Sequence, residues 1–296
     1  MRSSKIRTLA ALALAVVLVQ MAPWACADTL DDIQRRGTLV IGVKKDVPLW
    51  GLAKGTTGVP EGLEPDLAAD LAARLGVRLK LVGLLSAERN DALERRRVDL
   101  LIATLSDTPE RRQRMTLAVP HYYASGVNIL ARKDAKFRDW PDLRNRRVCG
   151  RLGAFYNRQI TVAYGIDVVA LYNNQLSMSA LRDGRCAALL YDDTNIVALM
   201  QDAAWAGNFE MPLKSLHLTP WSVALHAADR GGRLETAVSD AIIDWHRSGL
   251  IVRLERKWQI PASPFTVHMN AVWSRRTGTS FYCGDRVGPQ TPKDCL

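Results

Sequence analysis

Ala103-Thr-Leu-Ser-Asp-Thr-Pro-Glu-Arg-Arg112 follows a short apolar run, Val98 to Ile102, that reads as a buried strand. Thr104 and Ser106 alternate with Leu105, which puts both hydroxyls on one face as the strand ends. Asp107-Thr108-Pro109 is turn chemistry, and Glu110-Arg111-Arg112 opens a polar helix. A strand end with two hydroxyls, a turn and then a guanidinium suits a small carboxylate, because the planar fork of Arg meets both oxygens at once. The same residues would also make a solvated loop with surface arginines. The rest of the chain decides between the two.

Upstream, Arg2, Lys5 and Arg7 precede an apolar segment, Thr8 to Met21, that is too short to span a bilayer. Ala25-Cys26-Ala27 is an A-x-A cleavage site, so residues 1–27 read as a signal peptide and Asp28 as the first residue of the exported protein. Pro23 and Trp24 stand where a lipidated Cys26 would need small residues. No later segment is long and apolar enough to cross a membrane. The net charge of +10 fits anionic solutes or a membrane surface better than nucleic acid, which an exported protein does not meet. The runs Arg95-Arg96-Arg97 and Arg144 to Arg147 read as solvated faces. Without Cys26 the cysteines are Cys149, Cys186, Cys283 and Cys295, an even set in an exported chain. Three pairings are open. The closeness of Cys283 and Cys295 in a polar tail favours joining them, which leaves Cys149 with Cys186. No cysteine has zinc-ligand spacing, and no metal or cofactor is expected.

Downstream, Thr38 to Val43 is a continuous apolar strand of the kind a parallel sheet buries. Gly62 to Gly76 is the clearest helix. Leu63, Leu67, Leu71 and Leu75 form one stripe, Pro65 suits the first turn, and Gly76 suits the stop. Strands at Arg78–Val82 and Val98–Ala103, with a helix from Arg89 between them, continue an alternating α/β order. Tyr122 to Ala131 reads as a long strand leaving this unit. A second alternating series runs from Arg147 through a turn at Arg151-Leu152-Gly153-Ala154 to a strand, Ala187 to Tyr191, that ends in Asp192-Asp193. Trp221 to Leu225 reads as a strand returning to the first unit. The expectation is an α/β protein of two lobes. Residues 28–130 and 222–262 form the first lobe and 131–221 the second. The crossings fall near Ala124–Ala131 and Pro220–Leu225, with a ligand cleft between the lobes. Residues 263–296 form a tail with no assigned place.

These motifs, in this order, resemble the periplasmic polar amino acid-binding proteins of ABC importers, family 3 of the extracellular solute-binding proteins. Gly62-Leu63-Glu64 matches the start of that family's signature helix, although Pro65 departs from its pattern. Thr104 to Arg111 matches its carboxylate-binding segment, and Tyr122-Tyr123 with Ser125-Gly126 matches the approach to its first hinge. Asp183-Gly184-Arg185-Cys186 followed by Tyr191-Asp192 matches the strand that presents an acidic residue to a ligand ammonium. Lys257-Trp258 matches the end of its last helix. The resemblance spans Thr38 to Ile260. It implies a monomeric two-lobe protein of the periplasm that closes on a small amino acid or related carboxylate and passes it to an inner-membrane ABC permease.

The expected ligand-binding residues follow. Arg111 and Asp192 come from opposite lobes, with Thr104 and Ser106 as hydroxyl partners. Trp50 forms an aromatic wall, with Tyr156 and Trp221 as further contacts. Lys44 stands as an uncompensated cation at the cleft mouth, favouring an acidic or neutral polar amino acid over a cationic one. Asp193 is expected to cap the next helix. Gly153-Ala154 stands where the family carries Gly-Ser or Gly-Thr, so a hydroxyl is missing. The alternative is an enzyme on the same scaffold, similar to cyclohexadienyl dehydratases, with Glu64, Asp192 or His121 as acid or base. A ligand-presenting subunit for a membrane sensor is a third reading.

Overall fold

The computed structural model describes residues 28–53 and 58–296, so the leader lies outside the described residues. Among the described residues the chain builds two large open sheets, beside a three-stranded and a two-stranded one. The first has the order Arg78–Leu84, Thr38–Lys44, Leu100–Ile102, Ala224–His226, Met115–Leu117. Its first three strands are parallel, and Ala224–His226 runs against both its neighbours. The second sheet has the order Asp167–Leu171, Arg147–Arg151, Ala188–Asp192, Tyr123–Arg132, Phe209–Glu210, and Leu216–Trp221 also pairs with Tyr123–Arg132. Parallel strands need crossovers, and the helices that supply them cover both faces of each sheet.

Alternation along the first strand makes the two layers. Leu39, Ile41 and Val43 point into the larger core with Leu63, Leu67 and Leu71 of the helix Leu63–Arg74. Val40 points to the opposite face, where Leu93 of the helix Arg89–Glu94 packs. Leu63, Leu67 and Leu71 of the leucine stripe are therefore buried as their spacing predicts, Leu75 is half-buried at the helix end, and Gly76 turns the chain off at φ +67. In the second lobe Val148 and Cys149 face opposite cores, and the Cys149–Cys186 disulfide closes one of them.

The first crossing differs from the sequence expectation, and the second falls within the expected Pro220–Leu225. Tyr123–Arg132 lies wholly in the second sheet, so the chain passes between the sheets at residues 118–122. Trp221 to Leu225 is two strands, one ending at Trp221 in the second sheet and one beginning at Ala224 in the first. A continuous apolar run does not reveal where a chain changes sheets. The turn-rich excursion from Gly55 falls partly outside the described residues, and its flanks Gly51–Ala53 and Pro60–Glu61 pair antiparallel.

The tail has a definite place. Ser263 caps the helix Pro264–Ser274, which carries Pro at its first position. Met269, Val272 and Trp273 pack with Ile243 of the helix Arg233–Arg247, and Cys283–Cys295 is joined over them. Glu255 ties this tail to the crossing. Its buried carboxylate accepts from Tyr123 Oη at 2.8 Å, Ser263 N at 3.2 Å and Thr266 Oγ1 at 2.9 Å. Lys257 and Trp258 Nε1 both reach Asp66, fixing the last family-like helix against Leu63–Arg74.

Candidate ligand site between the lobes

The carboxyl ends of parallel strands in open α/β sheets are where ligands bind, and five charged side chains gather there. Lys44 ends the first strand, Arg151 and Asp192 end two strands of the second sheet, and Arg89 and Arg111 lie on helices just beyond the first sheet. All five are buried. The lobes are shut on one another. Asn174 donates from N and Nδ2 to Asp46 at 3.1 and 2.7 Å, Tyr172 Oη to Glu88 at 2.9 Å, and Arg89 Nη2 to the Gly153 carbonyl at 3.3 Å. Gly153 sits at φ +83, where a Cβ would stand 2.8 Å from the Ser86 carbonyl oxygen. Glycine is thus needed both for its conformation and for the approach of the lobes.

The segment Ala103–Arg112 is shaped from below. Glu64 Oε1 accepts from Thr104 N at 2.5 Å and from Tyr122 Oη at 2.6 Å. Arg89 Nη1 holds the Ala103 and Thr104 carbonyls at 2.7 and 2.8 Å. Held from both sides, Thr104 adopts φ +47, a left-handed conformation costly for a β-branched residue. This corrects the simple alternation expected of Thr104 and Ser106, because the strand stops at Ile102. Thr104 Oγ1 is buried with no partner among the described residues. Ser106 bridges to Trp221, and its carbonyl accepts from Arg111 Nη1 at 2.7 Å. Arg111 is positioned by Thr108, which caps the helix Pro109–Arg114. Among the described residues its guanidinium has no carboxylate in contact. Burial pushes it down to about 10, against the more distant attraction of Asp192.

The second lobe's half is built differently. Arg151 Nη2 meets Asp192 Oδ2 at 2.7 Å, and its guanidinium lies 4.6 Å from the Tyr191 ring centre. Nε and Nη1 of Arg151 are buried without partners among the described residues. Asp192 Oδ2 also accepts from Tyr156 Oη at 3.3 Å and Asn195 Nδ2 at 3.4 Å, while Oδ1 carries no protein hydrogen bond among the described residues. The two partners are pulled in opposite senses. Burial pushes the Asp192 carboxyl up before Arg151 and Arg89 pull it back. Burial also opposes the Arg151 charge, yet its tyrosine and carboxylate neighbours hold it above the ordinary arginine range. A guanidinium does not give up its proton at neutral pH, and a contact of 2.7 Å is that of an ion pair, so the pair is ionised.

Lys44 is not at the mouth and not uncompensated. It is fully buried, 2.9 Å from both Asp46 Oδ1 and Ser86 Oγ. Burial pushes its amine down to about 7 against the opposing pull of Asp46. The strand's last residue points inward, and the turn returns Asp46 onto it two residues later. Asp46 is also on the wall of an inter-lobe cavity of about 680 Å³, with Leu49, Met178, Arg182 and Trp205. The charged cluster is deeper in the closed interface than that cavity, with only Asp46 common to both.

Trp50 and Trp221 are fully buried and form an aromatic stack with Tyr123. Trp50 meets Tyr123 at 4.6 Å and Trp221 at 4.9 Å, edge-on. The indole Nε1 of each is buried without a partner among the described residues. Gly62 packs so tightly on the Trp50 backbone that a Cβ would lie 2.4 Å from its carbonyl. Asp193 does not act as a side-chain cap. It is the first residue of its helix, and Oδ1 clamps Ser125 Oγ and Gly126 N of the crossing strand at 2.8 and 2.9 Å. His121 is held by Asp107 at 2.7 Å, beside the surface ion pair of Asp107 with Arg112.

Sequence reasoning thus brought Arg111, Thr104, Ser106, Asp192, Tyr156 and Lys44 to the cluster, Lys44 as a buried, paired amine and not as a free cation at the mouth. It missed Arg89, Arg151 and Asp46. Arg151 had been read as part of a turn. The available signal was a charged residue at the carboxyl end of an otherwise apolar parallel strand.

Comparison with known proteins agrees with this architecture. Residues 39–261 match the family described as bacterial extracellular solute-binding proteins, family 3. The glutamine-binding protein of Geobacillus stearothermophilus is 30% identical over 174 residues, covering 57% of this chain and 66% of that protein. The L-cystine-binding protein TcyJ of Escherichia coli is 25% identical over 77% of this chain and 85% of that protein. Among solved structures, holo ArgBP from T. maritima is 25% identical with a TM-score of 0.67, over 77% of this chain and 99% of that one. The solute receptor for L-cysteine of Neisseria gonorrhoeae shares the fold at a TM-score of 0.73 and 23% identity, over 80% of this chain and 98% of that one. The chain belongs to family 3 of the bacterial extracellular solute-binding proteins.

Proposed function

We propose that this family 3 protein captures a small polar amino acid between its lobes in the periplasm and delivers it to an inner-membrane ABC permease, without catalysis. The observation that carries the reading is the buried Arg111 fork, anchored on one carbonyl and free of any carboxylate contact, facing the carboxylate of Asp192 across the interface. A zwitterion needs a fixed cation at one end and a fixed anion at the other. Arg111 receives the α-carboxylate, Thr104 Oγ1 adds a hydroxyl, and Asp192 Oδ1 accepts from the ammonium. Tyr156 orients Asp192, while Trp50 and Trp221 back the site with a rigid aromatic stack. The relatives named for glutamine and L-cystine support the ligand class.

Two of the three groups that would act as acid or base in an enzyme are occupied by structure, and the third, Asp192, is ion-paired with Arg151 through one oxygen. Glu64 shapes Thr104, and His121 is paired with Asp107. The test is a thermal-shift screen against amino acids, dicarboxylates and cyclohexadienyl acids, with product analysis of every binder. A ligand selective for the folded state raises the melting temperature through mass action. Stabilisation by an amino acid recovered intact supports the reading, whereas conversion of the stabilising compound overturns it.

A further inference from the structure

Resting on the reading just given, we propose that the preferred ligand is an amino acid with a side-chain carboxylate, and that Arg151 is the residue that selects it. The acids of the cleft are already matched. Asp46 holds Lys44, and Asp192 holds Arg151. Glu64 is buried with Oε2 unpartnered among the described residues, accepts two hydrogen bonds on Oε1, and burial pushes its carboxyl up to about 8. Arg89 spends its donors on backbone carbonyls, and Arg111 spends one on Ser106. Three buried guanidiniums, and Lys44 with its amine pushed down to about 7 by burial, therefore face two carboxylates across a closed interface. An occupant with one net negative charge reduces this excess, a neutral amino acid leaves it, and a cationic one adds to it.

Charge balance gives the class, and Arg151 gives the place. Its Nη2 is fixed by Asp192, so the guanidinium does not rotate freely, while Nε and Nη1, on opposite sides of the group, are each buried without an acceptor among the described residues. Buried donors left unsatisfied are expensive, and a ligand carboxylate at the Nη1 end satisfies one of them in a charge-assisted bond. Because Arg151 engages only Oδ2 of Asp192, Oδ1 is left for the ligand ammonium. An acidic amino acid thus satisfies Arg111, Asp192 and Arg151 together.

The experiment is calorimetric titration of the exported chain with glutamate, glutamine, arginine and glutarate. The expected order is glutamate tightest, glutamine ~10-fold or more weaker, arginine weakest. Glutarate, which offers no ammonium to Asp192, falls below glutamate. In Arg151→Gln the advantage of glutamate over glutamine disappears. Arg151→Lys keeps the charge but not the fork, and retains the order with ~10-fold weaker glutamate binding. Tighter binding of glutamine or arginine to the wild type, or an unchanged glutamate preference in Arg151→Gln, overturns the inference. Tighter glutarate than glutamate overturns its amino-acid half. Arg111→Gln separates the two levels. If it leaves glutamate binding intact, the site itself is wrongly placed. If it abolishes binding while Arg151→Gln has no effect, only the role of Arg151 fails.

Discussion

Arg111 and Arg151 are both buried guanidiniums at the cleft, one from each lobe, and they are restrained by different chemistry. Arg111 rests on a backbone carbonyl, which orients it without cancelling its charge. Arg151 rests on a carboxylate, which cancels the charge and fixes the ring of donors. A site that must take up an anion and let it go needs a cation that the protein has not already neutralised. A site that must discriminate needs donors held rigidly enough to penalise the wrong shape. In the proposed site the first lobe supplies the former and the second lobe the latter.

The largest effect on stability should come from breaking the pair. Asp192→Asn strands Arg151 as an unpaired buried cation and should cost ~3 kcal/mol. Denaturant unfolding measures it, and a loss below ~1 kcal/mol would mean that the pair is looser than its 2.7 Å contact indicates.

A smaller, pH-dependent effect belongs to Glu64. Burial pushes it from 4.5 up to about 8, so the folded chain keeps a proton that the unfolded chain has released. Between those values the folded state binds more protons, and this residue makes stability fall as pH rises. Lys44 acts in the opposite sense above about 7, because the unfolded chain then holds the proton that the folded chain gives up, as far as the ordinary 10.5. Glu64→Gln keeps an acceptor for Thr104 and Tyr122 and removes the first contribution. Its melting temperature should rise relative to wild type from pH 5 to pH 8, and parallel curves would contradict the assignment.

The smallest change concerns the backbone between the lobes. Gly153→Ala places a methyl against the Ser86 carbonyl at a left-handed position, and closure rather than charge is impaired. Affinity should weaken by ~10-fold for every ligand alike, leaving the preference order intact. A change in the order would mean that this turn helps to choose the ligand.

The difference between the two halves also explains what was legible in the sequence. The first lobe's cation sits in one contiguous strand, turn and helix, Leu100 to Arg112, where local chemistry announces itself. Asp192 was legible as an acid at a strand end, and the leucine stripe from Leu63 fixed its helix. Arg151 was legible only as a charge at a strand end, not in its role. Its role depends on Asp192, forty-one residues away, and on the burial of Nε and Nη1, neither of which is local. Lys44 failed for the opposite reason, since its partner Asp46 is adjacent but only folding turns the pair inward. The strained Thr104 needed Glu64 and Arg89 from other elements. The tail helix did carry a signal, Ser263-Pro264 followed by Thr266, Met269 and Trp273 at helical spacing, which a reading centred on the cleft passed over.

The most direct test of the account compares Arg111→Gln with wild type in two measurements on the same samples, calorimetric affinity for the ligand that stabilises the wild type most and melting temperature without ligand. Because Arg111 is a buried cation with no carboxylate in contact, its loss should weaken binding by ~100-fold or more while the melting temperature holds or rises. Retained affinity, or a melting temperature that falls as far as that of Asp192→Asn, would contradict it.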